Sequence, residues 1–336
     1  MTNFSAILYI DLDALVVDDI TEVLKCGSFC AVMRHSDLFN FGVFVLQPNL
    51  KVYSEMKSKY LALPSYDHGD QGFANSYFSE LKFTRMFDPA DANWPENSSE
   101  IHRLPSYYNY DVGHYYLQSS MRVKPKIIHY TLGPTKPWLW WTYPMFDLNY
   151  HWLTIRNMIT DDPPTTLYDL FCVVFEFLLV TTLVTICQVL KRSSRTLKKY
   201  SASMPSHWLI VASQLISVAV AFFLVPQGKS PILSWLIFIV NQLIVLLFLN
   251  VLRVRFFEES CVSTTRVIQY FLVSILSFVI VYFTLSHINN FGTRIKFMCI
   301  LVSFWFLIVY LLCQRLKNGS CCKVPRYEPV NQDLDF

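Results

Sequence analysis

The chain has 336 residues, 53% hydrophobic and 16% charged, where ordinary soluble domains carry roughly 25% charged residues, and its mean hydropathy is +0.33. This composition excludes a disordered chain, a fibrous repeat and a small disulfide scaffold, and it points to membrane segments. Charge divides near residue 166: residues 1–166 hold 18 of the 25 acids and 13 of the 28 bases, a net of −5, and residues 167–336 hold 7 acids and 15 bases, a net of +8. No basic run with interleaved aromatics marks a nucleic-acid surface, so no nucleic acid is expected as a partner.

In chain order, Ala6 to Ile10 reads as a buried strand running into Asp11-Leu12-Asp13. Asp18 and Asp19 open a short helix reaching Lys25, and Phe29 to Met33 is a second strand. Phe41 to Leu46 is a third, ended by Gln47-Pro48. Pro48 fits the first turn of a helix whose Leu50, Tyr53, Met56 and Tyr60 keep one face apolar. Another helix starts after Gly69, with Phe73, Tyr77 and Leu81 on one stripe. A loop rich in Pro, Asn and Ser covers 88–100, and a strand runs from Lys126 to Thr131. Strands alternating with helices predict an α/β domain over 1–166.

Five apolar stretches follow, at 167–190, 208–226, 231–252, 267–288 and 295–313, each near the ~20 residues that span a bilayer. Glu176 inside the first is read as a bundle-facing polar contact. Twelve bases fall in the first and third loops and in the tail 314–336, against Lys229, Arg294 and Lys296 on the other side. The positive-inside rule therefore predicts a multi-pass protein with a cytosolic C-terminus and the globular half in a lumen. The Asn97-Ser98-Ser99 sequon agrees with that side, whereas Asn318-Gly319-Ser320 falls on the cytosolic one. Cys26 and Cys30 either pair in an oxidising lumen or stay free core thiols, and Cys321-Cys322 suit palmitoylation.

Asp11 and Asp13 lie beyond the carboxyl end of a strand, where α/β sheets bind ligands. On an extended chain their i, i+2 spacing puts both carboxylates on one face, suiting Mn²⁺ or Mg²⁺ shared with a diphosphate. The bland alternative is two solvated carboxylates. His129 closes a strand and precedes Gly133-Pro134-Thr135-Lys136, a glycine turn that brings backbone and ammonium to a phosphate. An imidazole beside two carboxylates completes a Mn²⁺ ligand set. Asp70-Gln71-Gly72 opens a helix and offers oxygens and amides to sugar hydroxyls, or Asp70 is simply a capping acid. The aromatic run Trp138, Trp140, Trp141 and Tyr143 can stack on a sugar, sit at a membrane interface or pack in the core.

Five pieces in order resemble glycosyltransferase family 8, the glycogenin-like enzymes: Tyr9 to Asp13, Asn40 to Val45, Asp70 to Phe73, Arg103-Leu104-Pro105 with Tyr108-Asn109, and His129 to Trp138. The last piece and the C-terminal spans resemble the plant glycogenin-like glucuronosyltransferase branch. The resemblance implies a GT-A, Rossmann-like nucleotide-sugar transferase domain followed by an all-α membrane bundle. It implies that Asp11, Asp13 and His129 hold Mn²⁺ against a UDP diphosphate, and that Gly133 and Lys136 contact that diphosphate. Asn40 would touch the donor sugar, and Asp70 and Gln71 would lie at its anomeric carbon. The implied reaction moves glucuronic acid or glucose, with retention, from UDP-glucuronic acid or UDP-glucose to a lipid or glycan acceptor at the lumenal face of a Golgi membrane.

Three local departures stand out. Leu12 lies between the acids where the family usually has Ala, Phe41 follows Asn40 where a small residue is usual, and His129 to Lys136 is one residue longer than in glycogenin. Only ten residues precede Asp11, whereas the family's metal-binding strand comes about halfway through the catalytic domain. The expectation is a fragment, a mispredicted start or a shortened isoform, without a signal peptide and lacking part of the nucleotide pocket, so that the full-length family function is expected and activity of this chain alone is not. The alternative reading is an inactive member serving as a membrane scaffold or partner subunit.

Overall fold

The computed structural model describes residues 3–34, 37–95, 98–118, 122–159, 206–256, 279–288 and 290–303, with isolated positions between 171 and 182 and at 276. Two compact units emerge: residues 1–142 with 146–160 and 290–292, and the remainder.

The first unit is built on two small mixed sheets. One has the strand order β1 (Ile7–Ile10), β4 (Phe39–Leu46), β3 (Phe29–Met33), β5 (Ile101–Leu104); β4 runs antiparallel to β1 and β3, and β5 is parallel to β3. The other has the order β2 (Ala14–Val16), β7 (Ile127–His129), β6 (Tyr110–Asp111), with β2 antiparallel and β6 parallel to β7. The mixed α/β class holds, and the antiparallel pairs set it apart from an all-parallel sheet.

β3 is buried on both faces, as its unbroken apolar run requires. Cys30 and Val32 pack with Val23, Val45, Leu104 and Tyr108 on one side. Phe29 and Ala31 pack with Phe39, Phe44, Ala74 and Leu81 on the other. Cys26 and Cys30 form a disulfide, so the pairing alternative is the one realised.

Helix α1 (Leu50–Lys59) departs from expectation. Asn49, not Pro48, sets its start: the Asn49 Oδ1 accepts from the N–H groups of Lys51 and Val52, a function proline cannot perform. Its apolar face is uncovered, with Leu50, Tyr53 and Tyr60 exposed and no residue of the helix buried. Helix α2 (Asp70–Tyr77) begins where expected, after Gly69. The Phe73–Tyr77–Leu81 stripe breaks after Tyr77, because Leu81 belongs to a separate 3-10 turn over Ser79–Phe83. The buried residues of α2 are the small Gly72 and Ala74 together with Asn75, whose amide bonds both the N–H and the carbonyl of Phe39. Asp18 and Asp19 precede a 3-10 turn, Thr21–Lys25, rather than an α-helix. The unit closes with α3 (Val112–Gln118) and α4 (Asn149–Ile159).

In the second unit, α5 (Ser206–Phe223) packs against α6 (Pro231–Phe256) across a turn in which Gly228 takes a φ of 77°. These helices correspond to the stretches 208–226 and 231–252. Residues 231–249 are, among the described residues, the one segment long and apolar enough to cross a membrane, with a mean hydropathy of 2.6. The stretches at 167–190, 267–288 and 295–313 are described only in part, and Glu176, Asn97, Asn318 and Cys321-Cys322 lie outside the described residues.

Candidate metal centre

The chain leaves β1 at Ile10 and must cross from the first sheet to the second. It does so in a tight turn in which the Ala14 N–H donates to the Asp11 carbonyl at 3.0 Å, leaving Leu12 fully exposed at the tip. Asp11 and Asp13 therefore converge through a turn, not through the pleat of an extended strand. Leu12, in place of the usual Ala, points to solvent and leaves the carboxylates unobstructed.

Register does the rest. Ala14 of β2 pairs with His129 of β7, and the Tyr130 N–H donates to the Asp13 carbonyl at 2.9 Å. The His129 Nε2 lies 3.2 Å from Asp13 Oδ1 and 3.7 Å from Asp11 Oδ2. One ligand atom from each of Asp11, Asp13 and His129 fits within a mutual 4.8 Å. Lys136 donates to Asp13 Oδ2 and to the Tyr130 carbonyl.

An amide chain orients the imidazole. Asn109 Nδ2 donates to Asn40 Oδ1 at 2.9 Å, which turns the Asn109 carbonyl oxygen toward His129. That oxygen lies 2.8 Å from His129 Nδ1, so Nδ1 carries the proton and the Nε2 lone pair faces the two carboxylates. Burial holds the His129 pKa below its ordinary value, against the pull of Asp13 and Asp11, so the ring is neutral at neutral pH. Partial burial pushes the Asp13 carboxyl up, and the Lys136 hydrogen bond, the charges of His129 and Lys136 and a backbone hydrogen bond together outweigh it, leaving the carboxyl below the usual range. A neutral nitrogen lone pair and two carboxylates, one of them already paired with Lys136, are brought to one point where a divalent cation could be held. Hard oxygens with one imidazole suit Mn²⁺ or Mg²⁺, so the residues fit the ion the sequence implied.

The other expected residues fall around this centre. Asn40 Nδ2 donates to Gln71 Oε1 at 3.2 Å, which joins the head of α2 to the amide chain. Asp70 is not the capping acid: Asp67 Oδ1 accepts from the N–H groups of Gly69 and Gly72, leaving the exposed Asp70 carboxylate bonded to the Gln71 N–H. Phe41 stacks on Phe44, with ring centroids 4.2 Å apart, and joins the aromatic cluster of the sheet. Gly133 starts an exposed 3-10 turn, and a Cβ there would meet no atom within 4 Å. Trp140 and Tyr143 are buried, while Trp138 is exposed near Lys136.

Three participants escaped the sequence reading of roles. Asn109 fixes the imidazole. Tyr9 has its hydroxyl pKa raised by a hydrogen bond to Asp11 and by the charges of Asp11, Asp70 and Asp13. Gly42 forms the floor: its carbonyl accepts from the Asp11 N–H at 2.8 Å, and a Cβ would collide with His129 and Asp11. The available signal for Gly42 was a lone glycine inside a strand of large residues, which marks close approach.

The His129 partner in the parallel ladder is Asp111, which pairs with Arg34 and accepts from Thr131 Oγ1 at 2.8 Å. Burial raises the Asp111 carboxyl, and the Arg34 hydrogen bond and charge, with the hydrogen bonds from Thr131 and the Gly113 N–H, together outweigh that and lower it. A carboxylate depressed in the folded state stabilises fully above its unfolded pKa of ~4 and loses that contribution as pH falls through the folded value. Arg34→Met is therefore expected to move the acid-unfolding midpoint, followed by circular dichroism, to higher pH. An unchanged midpoint would show that this pair contributes nothing.

Fold and site together give a mixed α/β domain with a carboxylate–imidazole cluster that could hold a cation and a lysine at its edge. Residues 31–142 match the model of Glycosyl transferase family 8. That segment, a third of the chain, is similar to family 8 glycosyltransferases, and the relatives that the chain resembles include members of the glycogenin-like branch. Inositol phosphorylceramide glucuronosyltransferase 1 of Arabidopsis thaliana is 38% identical over 190 residues, 53% of this chain and 35% of the relative. A putative glucuronosyltransferase of the same plant is 28% identical over 253 residues, 72% of this chain and 50% of its own length. Glycogenin-1 of Caenorhabditis elegans is 33% identical over 144 residues, 41% of this chain and 30% of its own. The chain spans from about a third to a half of the lengths of these relatives.

Proposed function

We propose that the protein is a Mn²⁺-dependent retaining glycosyltransferase that moves a glucuronosyl or glucosyl group from UDP to a lipid or glycan acceptor. The observation that carries this is the convergence of Asp11, Asp13 and His129, with ligand atoms within 4.8 Å, beside Lys136. A divalent ion held there supplies Lewis-acid stabilisation of the departing diphosphate. The chain's own groups do the remainder. Asp11, Asp13 and His129 would hold the ion, and Lys136, which bonds Asp13 Oδ2, would be placed to donate to diphosphate oxygens as they gain charge. Gly133, on an exposed turn with open space beside it, offers backbone to the same diphosphate. Asn40 and Gln71, already bonded to each other, hold the donor sugar, and the exposed carboxylate of Asp70 faces its anomeric carbon. The plant glucuronosyltransferase relatives support glucuronic acid as donor sugar.

The same reading takes 1–166 as the catalytic domain, 167–313 as a bundle of about five membrane helices and 314–336 as a cytosolic tail. The catalytic side is then lumenal in a Golgi or related membrane. The apolar helix at 231–249 and the basic loops support it. The test is ligand-linked stability. Mn²⁺ with UDP is expected to raise the melting temperature of the full chain, neither alone doing so to the same extent, and EDTA to reverse the rise. No shift would favour the scaffold reading.

A further inference from the structure

The hydrogen bonds beyond His129 form one directed chain, and an irregularity in β4 sets its direction. Between the pairs Ala31–Phe44 and Met33–Phe39 the β3–β4 ladder shifts register, with Val32 alone on β3 opposite four residues, Asn40 to Val43, on β4. Bulges of this kind release backbone groups from the ladder and re-aim side chains. Here the Gly42 N–H donates to Asn40 Oδ1 at 2.9 Å, and the Phe41 N–H donates to Gln71 Oε1 at 3.4 Å. A backbone N–H can only donate, so each one fixes which end of its partner amide is the oxygen. Asn40 Nδ2 is then left to donate to Gln71 Oε1 at 3.2 Å. Asn109 Nδ2 donates to Asn40 Oδ1 at 2.9 Å, and the Asn109 oxygen accepts from His129 Nδ1 at 2.8 Å. At the far end, Gln71 Nε2 donates to the hydroxyl of Tyr66, an exposed side chain in the turn before α2. Asn40, Asn109 and His129 are all buried.

The other imidazole tautomer shows what this chain prevents. His129 Nε2 lies 3.2 Å from Asp13 Oδ1, so a proton on Nε2 would make a charge-assisted hydrogen bond and close the lone pair to a cation. That tautomer needs the Asn109 amide reversed. The reversed amide would set its oxygen against Asn40 Oδ1, which the Gly42 N–H holds in place. We propose that Asn40 is a positioning residue that keeps His129 open to a cation, and that through it the head of α2 and the cation centre are coupled: a sugar hydroxyl at Gln71 and a divalent ion at His129 each raise the affinity for the other. The coupling rests on the transferase reading, whereas the role of Asn40 is a property of the metal-free chain. Every donor in the chain points the same way, from His129 toward Tyr66. With a cation on the Nε2 lone pair, Nδ1–H becomes a stronger donor, and each amide passes that polarisation along to Gln71 Nε2. A sugar hydroxyl oxygen that replaces the Tyr66 hydroxyl there meets the strengthened donor, and the reverse effect follows by reciprocity.

Two measurements on the full chain test this. The first is nitrogen NMR of the imidazoles without metal at neutral pH, with the His129 signals identified by their loss in His129→Gln. The unaltered chain is expected to show the Nδ1–H tautomer, and so is Asn40→Asp, which keeps an oxygen for Gly42 and Asn109. Asn40→Leu removes that oxygen and is expected to move His129 to the Nε2–H tautomer and to weaken Mn²⁺ binding about tenfold. The second measurement reads Mn²⁺ affinity by calorimetry in the presence of UDP, UDP-glucose or UDP-glucuronic acid. At least one UDP-sugar is expected to raise it about fivefold or more beyond UDP, and Gln71→Met to remove that surplus while the effect of UDP itself stays. An unchanged Nδ1–H tautomer in folded Asn40→Leu overturns the role of Asn40. Equal Mn²⁺ affinity with all three nucleotides in the unaltered chain, an arm that needs no variant, overturns the coupling. Failure of Mn²⁺ and UDP to bind the unaltered chain at all is a separate result: it overturns the transferase reading, and the tautomer measurement still decides the role of Asn40.

Discussion

Gly42→Ala is expected to reduce Mn²⁺ affinity by about a hundredfold or more, the upper end of losses seen when a supporting residue of a metal site is disturbed. The added methyl would occupy the space where the His129 ring and the Asp11 carboxylate meet, and it would lie 3.0 Å from Asn40 Oδ1. These neighbours cannot all yield. The Asp11 backbone is tied to Gly42 itself, and His129 is held by Asn109. Overpacking of this kind typically costs about 1–3 kcal/mol of stability, so the variant should fold with a lowered melting temperature. The contrast is Gly133→Ala, where the new Cβ meets nothing and stability should change by less than ~0.5 kcal/mol. Isothermal titration with Mn²⁺, with circular dichroism as the check on folding, reads both. Unaltered Mn²⁺ binding in a folded Gly42→Ala protein would place the cation site elsewhere.

Asn109→Ala carries the second large effect. It removes the acceptor for His129 Nδ1–H and the donor to Asn40, so the ring loses its fixed tautomer and its orientation. Mn²⁺ affinity should fall roughly 10–100-fold. Because the three ligands remain, a large excess of Mn²⁺ should restore UDP binding, whereas it should not in Gly42→Ala. An Asn109→Ala protein that needs no more Mn²⁺ than the unaltered chain for half-maximal UDP binding would show that the amide chain does not set the ligand geometry.

The carboxylate–imidazole cluster was legible because its chemistry is local: two acids at a strand end and a histidine closing another strand, each followed by turn residues. Strand β3 was legible for a related reason, since a strand buried on both faces must be apolar without interruption. Other features depended on partners distant in sequence. Pro48 and Asn49 both suit a helix start, and the hydrogen bonds of Asn49 decide between them. An apolar stripe on α1 says only that the helix could be covered, and the described residues leave Leu50, Tyr53 and Tyr60 exposed. Asp70 and Asp67 are both plausible caps for α2, and only the backbone path from Ser65 to Gly72 gives that place to Asp67 and leaves Asp70 exposed.

By itself, then, the order of residues determined the mixed α/β class, the apolar and basic character of the second half, and the chemical types available for a cation centre. Those properties follow from periodicity and side-chain chemistry over a few residues. Tertiary structure alone decided that Ala14 pairs with His129, that the acids meet through a turn, that Asn109 aims the imidazole and that Gly42 must lack a side chain. The pairing of Ala14 with His129 depends on the register between strands 115 positions apart in the chain, and register is set by the packing of whole faces, which no local stretch of sequence contains.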